Sequence, residues 1–120
     1  MKTSMNFLGA VLLGAAAVAS APASAAISVN QADSSKLLHY VDSEGLACMS
    51  CHSVGQKVVG PAWSAVAQKY HNDPHALALL TDRIENGGSG TWGSMPMPPG
   101  MANQQQAQKL AALIIGLDKK

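Results

Sequence analysis

The segment that most constrains this chain is Cys48-Met49-Ser50-Cys51-His52, or CMSCH in one-letter code. It holds both cysteines of the 120-residue sequence. Two residues separate the thiols, and an imidazole follows the second thiol directly. A single turn can therefore bring two thiols and a nitrogen ligand to one place, and any fold of this chain must present these three side chains together.

This spacing predicts one covalently bound haem of the c type. Two thiols at this separation add to the two vinyl groups on one side of the porphyrin, and the turn between them delivers the next side chain to the iron. We therefore predict that Cys48 and Cys51 attach the haem and that His52 is the first axial ligand of its iron. The second ring nitrogen of His52 stays free to form a hydrogen bond.

Two other interpretations of CMSCH fit the sequence less well. A thioredoxin-like redox pair belongs to a βαβ setting, and the chain has no parallel-strand pattern. A structural zinc site needs two further ligands at close spacing, whereas His39, His71 and His75 are scattered and no other cysteine exists. We expect these three histidines at the solvated surface.

The first 25 residues have the anatomy of a secretory signal peptide. A basic start at Lys2 precedes an apolar run over residues 7–18, and the small residues 23–25 (ASA) follow. We expect cleavage after Ala25, which leaves residues 26–120 as one domain in the periplasm. The alternative, a retained membrane anchor, needs about 20 consecutive apolar residues, and this run is shorter.

Charge and composition argue against several classes of partner. Eight Lys and Arg balance seven Asp and Glu without any basic run, so we expect neither nucleic acid nor an anionic membrane surface as a partner. Aromatic residues make up only 4% of the chain, so a domain of this size buries a thin core. We therefore expect the domain to fold only with its haem attached.

Hydrophobic periodicity predicts helices joined by loops and no strands. We expect Asp33 to cap the first helix, Pro61 to be the first residue of the second, and Asn103 with Gln106 to form the capping box of the last. The expected helices cover about residues 33–43, 61–70, 73–86 and 103–117. Their predicted apolar faces contain Leu37, Leu38 and Val41, then Leu77, Leu80 and Ile84, and finally Leu110, Ile114 and Leu117.

Residues 90–100, GTWGSMPMPPG, place two methionines among prolines, which exclude a helix and, we expect, a ladder strand. A thioether in such a stiff loop indicates a metal ligand rather than core filler. Only Met97 has a proline on both sides, so it loses less conformational freedom on binding iron than Met95. Side chains two apart in an extended proline-rich chain point in different directions, so we expect one sulfur at the iron and assign Met97.

These motifs resemble the class I c-type cytochromes, and among them the small bacterial carriers of the cytochrome c-551 and c-552 type. The resemblance covers residues 35–117 and is carried by CMSCH, VVGPAWSAVAQKY, DRIENGGSGTWGSMPMPPG and the closing amphipathic helix. It implies an all-α fold, with about four helices and loops wrapped around one covalently attached haem. CMSCH opens the domain here, whereas helical-bundle cytochromes of the other common type carry this motif near the C-terminus.

The resemblance also implies roles for single residues. Pro61 matches the proline whose carbonyl accepts the free ring N–H of the haem histidine. Arg83 and Trp92 match residues that donate to a haem propionate, and Met97 lies in the PMPP element that supplies the second axial ligand. One position departs from the family: Asn commonly follows PMPP, and this chain has Gly100, so an amide that would steady the sulfur is absent.

Ligation by His52 and Met97 would fill both axial positions and raise the reduction potential, so we predict electron transfer rather than an enzyme. We interpret the chain as a monomeric carrier of single electrons in the periplasm, without a membrane span after cleavage. It would meet redox-partner proteins by transient docking through Val58 and Val59, which we expect to rim the haem edge. The alternatives are a haem subunit held within a larger periplasmic oxidoreductase complex, and a gas-binding protein or enzyme whose methionine is displaced.

Overall fold

The computed structural model describes residues 29–118 and Gly14. The predicted signal peptide, residues 1–25, lies outside the described residues apart from that glycine. None of the helices in the described part is long and apolar enough to cross a membrane. In chain order the elements are α1, Gln31–Ser43; a 3-10 helix, Ala47–Ser50; α2, Trp63–Lys69; α3, Ala76–Asn86; β1, Gly88–Gly90; β2, Gly93–Met97; and α4, Gln104–Gly116.

The four α-helices within residues 29–118 confirm the predicted all-α class, and α4 is central because it contacts each of the other three. Its buried residues recur at the spacing of one helix face, as a core-facing helix requires. Most of the predicted apolar faces are buried, but Leu38 is 38% and Leu77 40% exposed. The buried cluster consists of Leu37, Val41, Trp63, Val66, Ala67, Leu80, Ile84, Ala102, Ala107, Leu110, Ala111, Ile114 and Leu117.

The N-cap of α1 is Asn30, so the prediction of Asp33 is wrong. The side chain of Asn30 accepts a hydrogen bond from the N–H of Ala32 at 2.9 Å. Asp33 lies within the first turn and pairs with Lys36 at 3.1 Å. Asn and Asp cap equally well, and the helix dipole also favours an acid in the first turn, so the sequence pattern does not separate the two positions.

Helix α2 begins at Trp63, and Pro61 is therefore not its first residue as predicted. The N–H groups of Trp63 and Ser64 donate to the carbonyls of Ser53 and Val54 at 3.0 and 2.8 Å. These bonds satisfy donors that have no partner within the helix. The start of α2 is thereby tied to the loop that follows CMSCH.

Helix α3 also begins later than predicted, whereas the capping box of α4 is confirmed. The carboxylate of Asp73 accepts the N–H of His75 at 2.8 Å, which forms a separate turn before Ala76. At α4 the side chain of Asn103 accepts the N–H of Gln106 at 2.9 Å, and the Gln106 side chain accepts the N–H of Asn103 at 3.1 Å.

Strands β1 and β2 form an antiparallel hairpin, so the prediction that the methionine segment contains no ladder strand is wrong. Gly88 pairs with Met97 and Gly90 with Gly93, and the register shifts between these pairs. Pro96 lies in this irregular stretch, where its missing N–H interrupts neither of the paired positions. Proline therefore does not exclude a strand in this segment, because it lies where the ladder is irregular.

Replacing Asn103 by Ala is expected to lower the free energy of unfolding of the holoprotein by about 1 kcal/mol, because the capping box loses its side-chain acceptor. Urea unfolding measures the difference. Gln105→Ala is the control, since Gln105 is exposed in the same first turn and does not cap the helix. Equal stability of the two variants would contradict a capping contribution.

Candidate functional site

Cys48 lies within the 3-10 helix, and Cys51 follows it directly. The N–H groups of Cys51 and His52 both donate to the carbonyl of Cys48, at 3.2 and 3.0 Å, which closes a tight turn. Burial raises the pKa of the Cys48 thiol. A redox-active cysteine pair depends on a thiol of lowered pKa, so this shift opposes the thioredoxin-like interpretation.

The zinc interpretation lacks a set of ligands in the structure. Within residues 29–118 no three His, Cys, Asp or Glu side chains form a group that could hold a metal ion. His39, His71 and His75 are exposed, as predicted, and Nδ1 of His71 lies 2.8 Å from a carboxylate oxygen of Asp118. These three histidines are therefore surface residues.

The imidazole of His52 is held from several sides. Its Nδ1 lies 2.9 Å from the carbonyl oxygen of Pro61, and because a carbonyl only accepts, Nδ1 carries the proton of this bond. The ring stacks on Trp63, with ring centroids 5.7 Å apart and planes inclined by 15°. Gly60 approaches the ring so closely that any side chain there would overlap it. The remaining nitrogen, Nε2, keeps its lone pair for a metal ion.

CMSCH borders a cleft of about 1010 Å³, a volume that includes its open mouth. The walls are largely apolar and come from α2, α3 and α4 and from the hairpin of β1 and β2. The residues of the cleft thus fit a haem: two thiols and an imidazole at one border, an apolar wall for the macrocycle, and polar groups elsewhere along the rim. The apolar wall consists mainly of Val66, Leu80, Ile84, Leu110 and Ile114.

Met95 and Met97 both line the cleft, and they lie in β2 rather than in the polyproline conformation that we expected. Their environments nevertheless differ, because Met95 is 68% exposed while Met97 is half-buried and packs against the core. Met97, unlike Met95, also borders a second, smaller cavity together with Cys48, Cys51 and His52.

Arg83 lines the cleft from α3, and Trp92 lines it from the turn between β1 and β2. Nη1 of Arg83 donates to the carbonyl of Ser89 at 3.4 Å, and a Cβ at Gly88 would overlap the guanidinium. Among the described residues that line the cleft, Arg83 is the only Asp, Glu, Lys or Arg. Trp92 is 38% exposed, and Nζ of Lys69 lies 5.7 Å from its ring centroid.

Gly100, the departure from the family pattern, has a left-handed backbone with φ of +74°. Its N–H donates to the carbonyl of Glu85 at 2.9 Å. Asn also tolerates this conformation, so the backbone does not by itself require glycine here. Asn103 does not replace the missing amide, because its side chain caps α4.

Sequence reasoning did not identify Gly60, Trp63 or Lys69 as parts of the site. Gly60 precedes Pro61 directly, and this neighbourhood is the only local signal of its role. The stacking of Trp63 on His52 and the approach of Lys69 to Trp92 join residues that are distant in sequence. Neither contact leaves a periodic pattern in the chain.

Comparisons with known proteins place these residues in a wider context. A family model described as cytochrome c matches residues 39–118, a range that contains CMSCH. Cytochrome c-552 of Hydrogenobacter thermophilus is 44% identical over 70 residues, covering 58% of this chain and 71% of that protein. Cytochrome c-551 of Pseudomonas denitrificans is 44% identical over 71 residues, covering 59% and 87%.

A solved structure agrees with these matches. Wild-type Nitrosomonas europaea cytochrome c552 superposes with a TM-score of 0.60 at 37% identity. The superposition covers 67% of this chain and 98% of the other. The shared fold therefore extends over almost the whole of that protein.

The double variant Cys48→Ala, Cys51→Ala, produced without haem, is expected to lose most of its helix, because a domain of this size with so few aromatic residues buries too little apolar surface without its cofactor. Far-ultraviolet circular dichroism measures the loss. Ser50→Ala is the control, since it alters the same turn and keeps both thiols. A cooperative thermal transition of the double variant like that of the holoprotein would contradict the prediction.

Proposed function

Because the chain belongs to the cytochrome c family, we propose that it is a periplasmic carrier in which His52 and Met97 ligate the iron of its haem. Family membership makes the chain a monohaem electron-transfer protein rather than an enzyme. Together with Cys48 and Cys51 it supports one covalently bound haem c. When bound, the haem supplies a one-electron iron couple.

The observation that carries the ligand assignment is the environment of His52. The bond from Nδ1–H to the Pro61 carbonyl selects the tautomer whose Nε2 binds metal, and it fixes the ring plane and raises its basicity. The half-buried thioether of Met97 borders a cavity shared with His52, which supports it as the second ligand. With both His52 and Met97 bound, the iron would have no coordination position left for a substrate.

Arg83 and Trp92 are proposed to bind a haem propionate. Both line the cleft, and a guanidinium and an indole N–H are donors that suit a partly buried carboxylate. Arg83 is also held toward β1 by its bond to the Ser89 carbonyl. A positive charge at this place in an apolar cleft offsets the cost of enclosing an anion.

Export and independence from a larger complex complete the proposal. Residues 1–25 are proposed as a cleaved signal peptide and residues 26–120 as the mature domain, on the sequence pattern of the first segment. The mature protein is proposed to act as a monomer. A permanent subunit of a periplasmic oxidoreductase would instead co-purify with its complex from the periplasm.

Met97→Ala is expected to remove the weak far-red iron–thioether absorption of the oxidised protein, lower its potential and open the iron to carbon monoxide. Met95→Leu is the matched control, because Met95 lines the same cleft but is 68% exposed. It should leave all three properties unchanged. Optical spectra and redox titration measure them, and loss of the far-red band in Met95→Leu alone would reverse the assignment.

Val58 and Val59 are proposed as the apolar patch through which redox partners dock transiently. They are 55% and 50% exposed, and Val59 also lines the cleft. The N–H of Gly60 donates to the Cys51 carbonyl at 2.7 Å, so the loop carrying the valines is anchored to CMSCH. Small interfaces are typical of electron-transfer encounters, and two exposed valines beside the cleft suit such an interface.

Val58→Lys and Val59→Lys are expected to slow electron self-exchange between oxidised and reduced copies several-fold, without changing the optical spectrum. Magnetisation-transfer NMR at high salt measures the rate, because salt screens the added charge. Leu79→Lys is the control, since Leu79 is 51% exposed on α3 and does not line the cleft. Equal slowing in the control would remove the case for this patch.

A further inference from the structure

Lys69, the last residue of α2, makes a contact that the proposed ligand set does not use. Its Nζ lies 5.7 Å from the ring centroid of Trp92, within the range of a cation–π interaction. Trp92 is in the turn of the hairpin and lines the cleft. A charged residue outside the cleft therefore touches a residue that forms its wall.

Helix α2 reaches two parts of the site. At its first residue, Trp63 stacks on His52, and at its last residue, Lys69 contacts Trp92. Seven helical residues span about 10 Å and form a rigid rod. The iron ligand and the hairpin are thus connected through a single regular element.

The hairpin has few buried contacts of its own. Its residues are exposed except for Met97, which is half-buried. Arg83 attaches β1 to α3 through the Ser89 carbonyl at 3.4 Å, a long hydrogen bond. Lys69 supplies a second attachment, from another helix and at the turn of the hairpin, where Trp92 lies.

We propose that Lys69 is a positioning residue of the haem site, whose ammonium holds the Trp92 ring against the cleft and thereby raises the reduction potential. This inference rests on the proposed function of the site. A held indole keeps its N–H available to an anionic acceptor in the cleft. The ammonium charge also favours the state with one more electron, so both effects act in the same direction.

Three variants of the holoprotein test the proposal. Lys69→Met removes the charge and keeps a long side chain, whereas Lys69→Arg keeps a cation that can lie over the ring. Lys109→Met is the control for net charge, because Lys109 is exposed on α4, does not line the cleft and makes no contact with Trp92. Redox titration gives the midpoint potential, and NMR of the reduced protein gives the indole N–H signal of Trp92.

Lys69→Met is expected to shift the reduction equilibrium toward the oxidised form by at most about fivefold, because the whole energy of an exposed cation–π contact bounds its difference between the two redox states. It should also displace the indole signal. Lys69→Arg should keep the potential and the indole signal of the unaltered protein, and Lys109→Met should change neither the potential nor the indole signal. The effect of Lys69→Met should shrink when Trp92 is already Phe, because coupled residues are not additive.

The proposal is overturned if Lys69→Met leaves potential and indole signal unchanged. It is equally overturned if Lys109→Met lowers the potential as much, or if the effect persists in full in the Trp92→Phe background. The optical spectrum of the unaltered protein tests the ligand assignment independently of the proposal for Lys69. A wild-type protein without the far-red thioether band would contradict ligation by Met97, whatever the Lys69 variants do.

Discussion

The hydrogen bond between Nδ1 of His52 and the Pro61 carbonyl is the contact on which the rest of the site depends. It joins His52, which directly follows Cys51, to Pro61, which lies two residues before the start of α2. The carbonyls of Ser53 and Val54 bind the first N–H groups of the same helix, so the intervening loop is held at both ends. With Gly60 against the ring, the imidazole has one orientation that this backbone permits.

The helices pack around a core that contains few large side chains. Leu37 and Leu110 are the largest fully buried side chains, and much of the remaining core is alanine. Small residues let α4 approach its neighbours closely, but they bury little apolar surface each. The larger apolar side chains of three helices belong to this core and also line the cleft, where a bound haem would extend it. The buried alanines are Ala62, Ala67, Ala76, Ala102, Ala107 and Ala111.

The parts of the structure that could be predicted are those fixed by local chemistry. The turn at CMSCH and the capping box at Asn103 depend on residues within a few positions of one another, and both are present. The hairpin was missed because glycines carry no side-chain periodicity and strand pairing is non-local. Asp33 was predicted as the cap of α1, and the prediction was wrong because Asn30, a residue type that caps equally well, lies three positions earlier.

The same distinction between local and non-local features applies to the candidate site. Met97 was favoured by its flanking prolines, although the geometry assumed for the pair was wrong and burial is what separates it from Met95. Contacts made by Trp63 and Lys69 join distant positions, and their spacing follows only from the fold. Such tertiary contacts need the packed arrangement of helices before they can be seen.

The way His52 is held has a consequence for the rate at which the site can gain and lose an electron. Its hydrogen-bond acceptor is a backbone carbonyl rather than a long side chain, and its ring is fixed between Trp63 and Gly60. Dipoles that are fixed before the charge changes need little reorientation afterwards. With His52 as the proposed ligand, these fixed groups would keep the reorganisation energy of the haem site low.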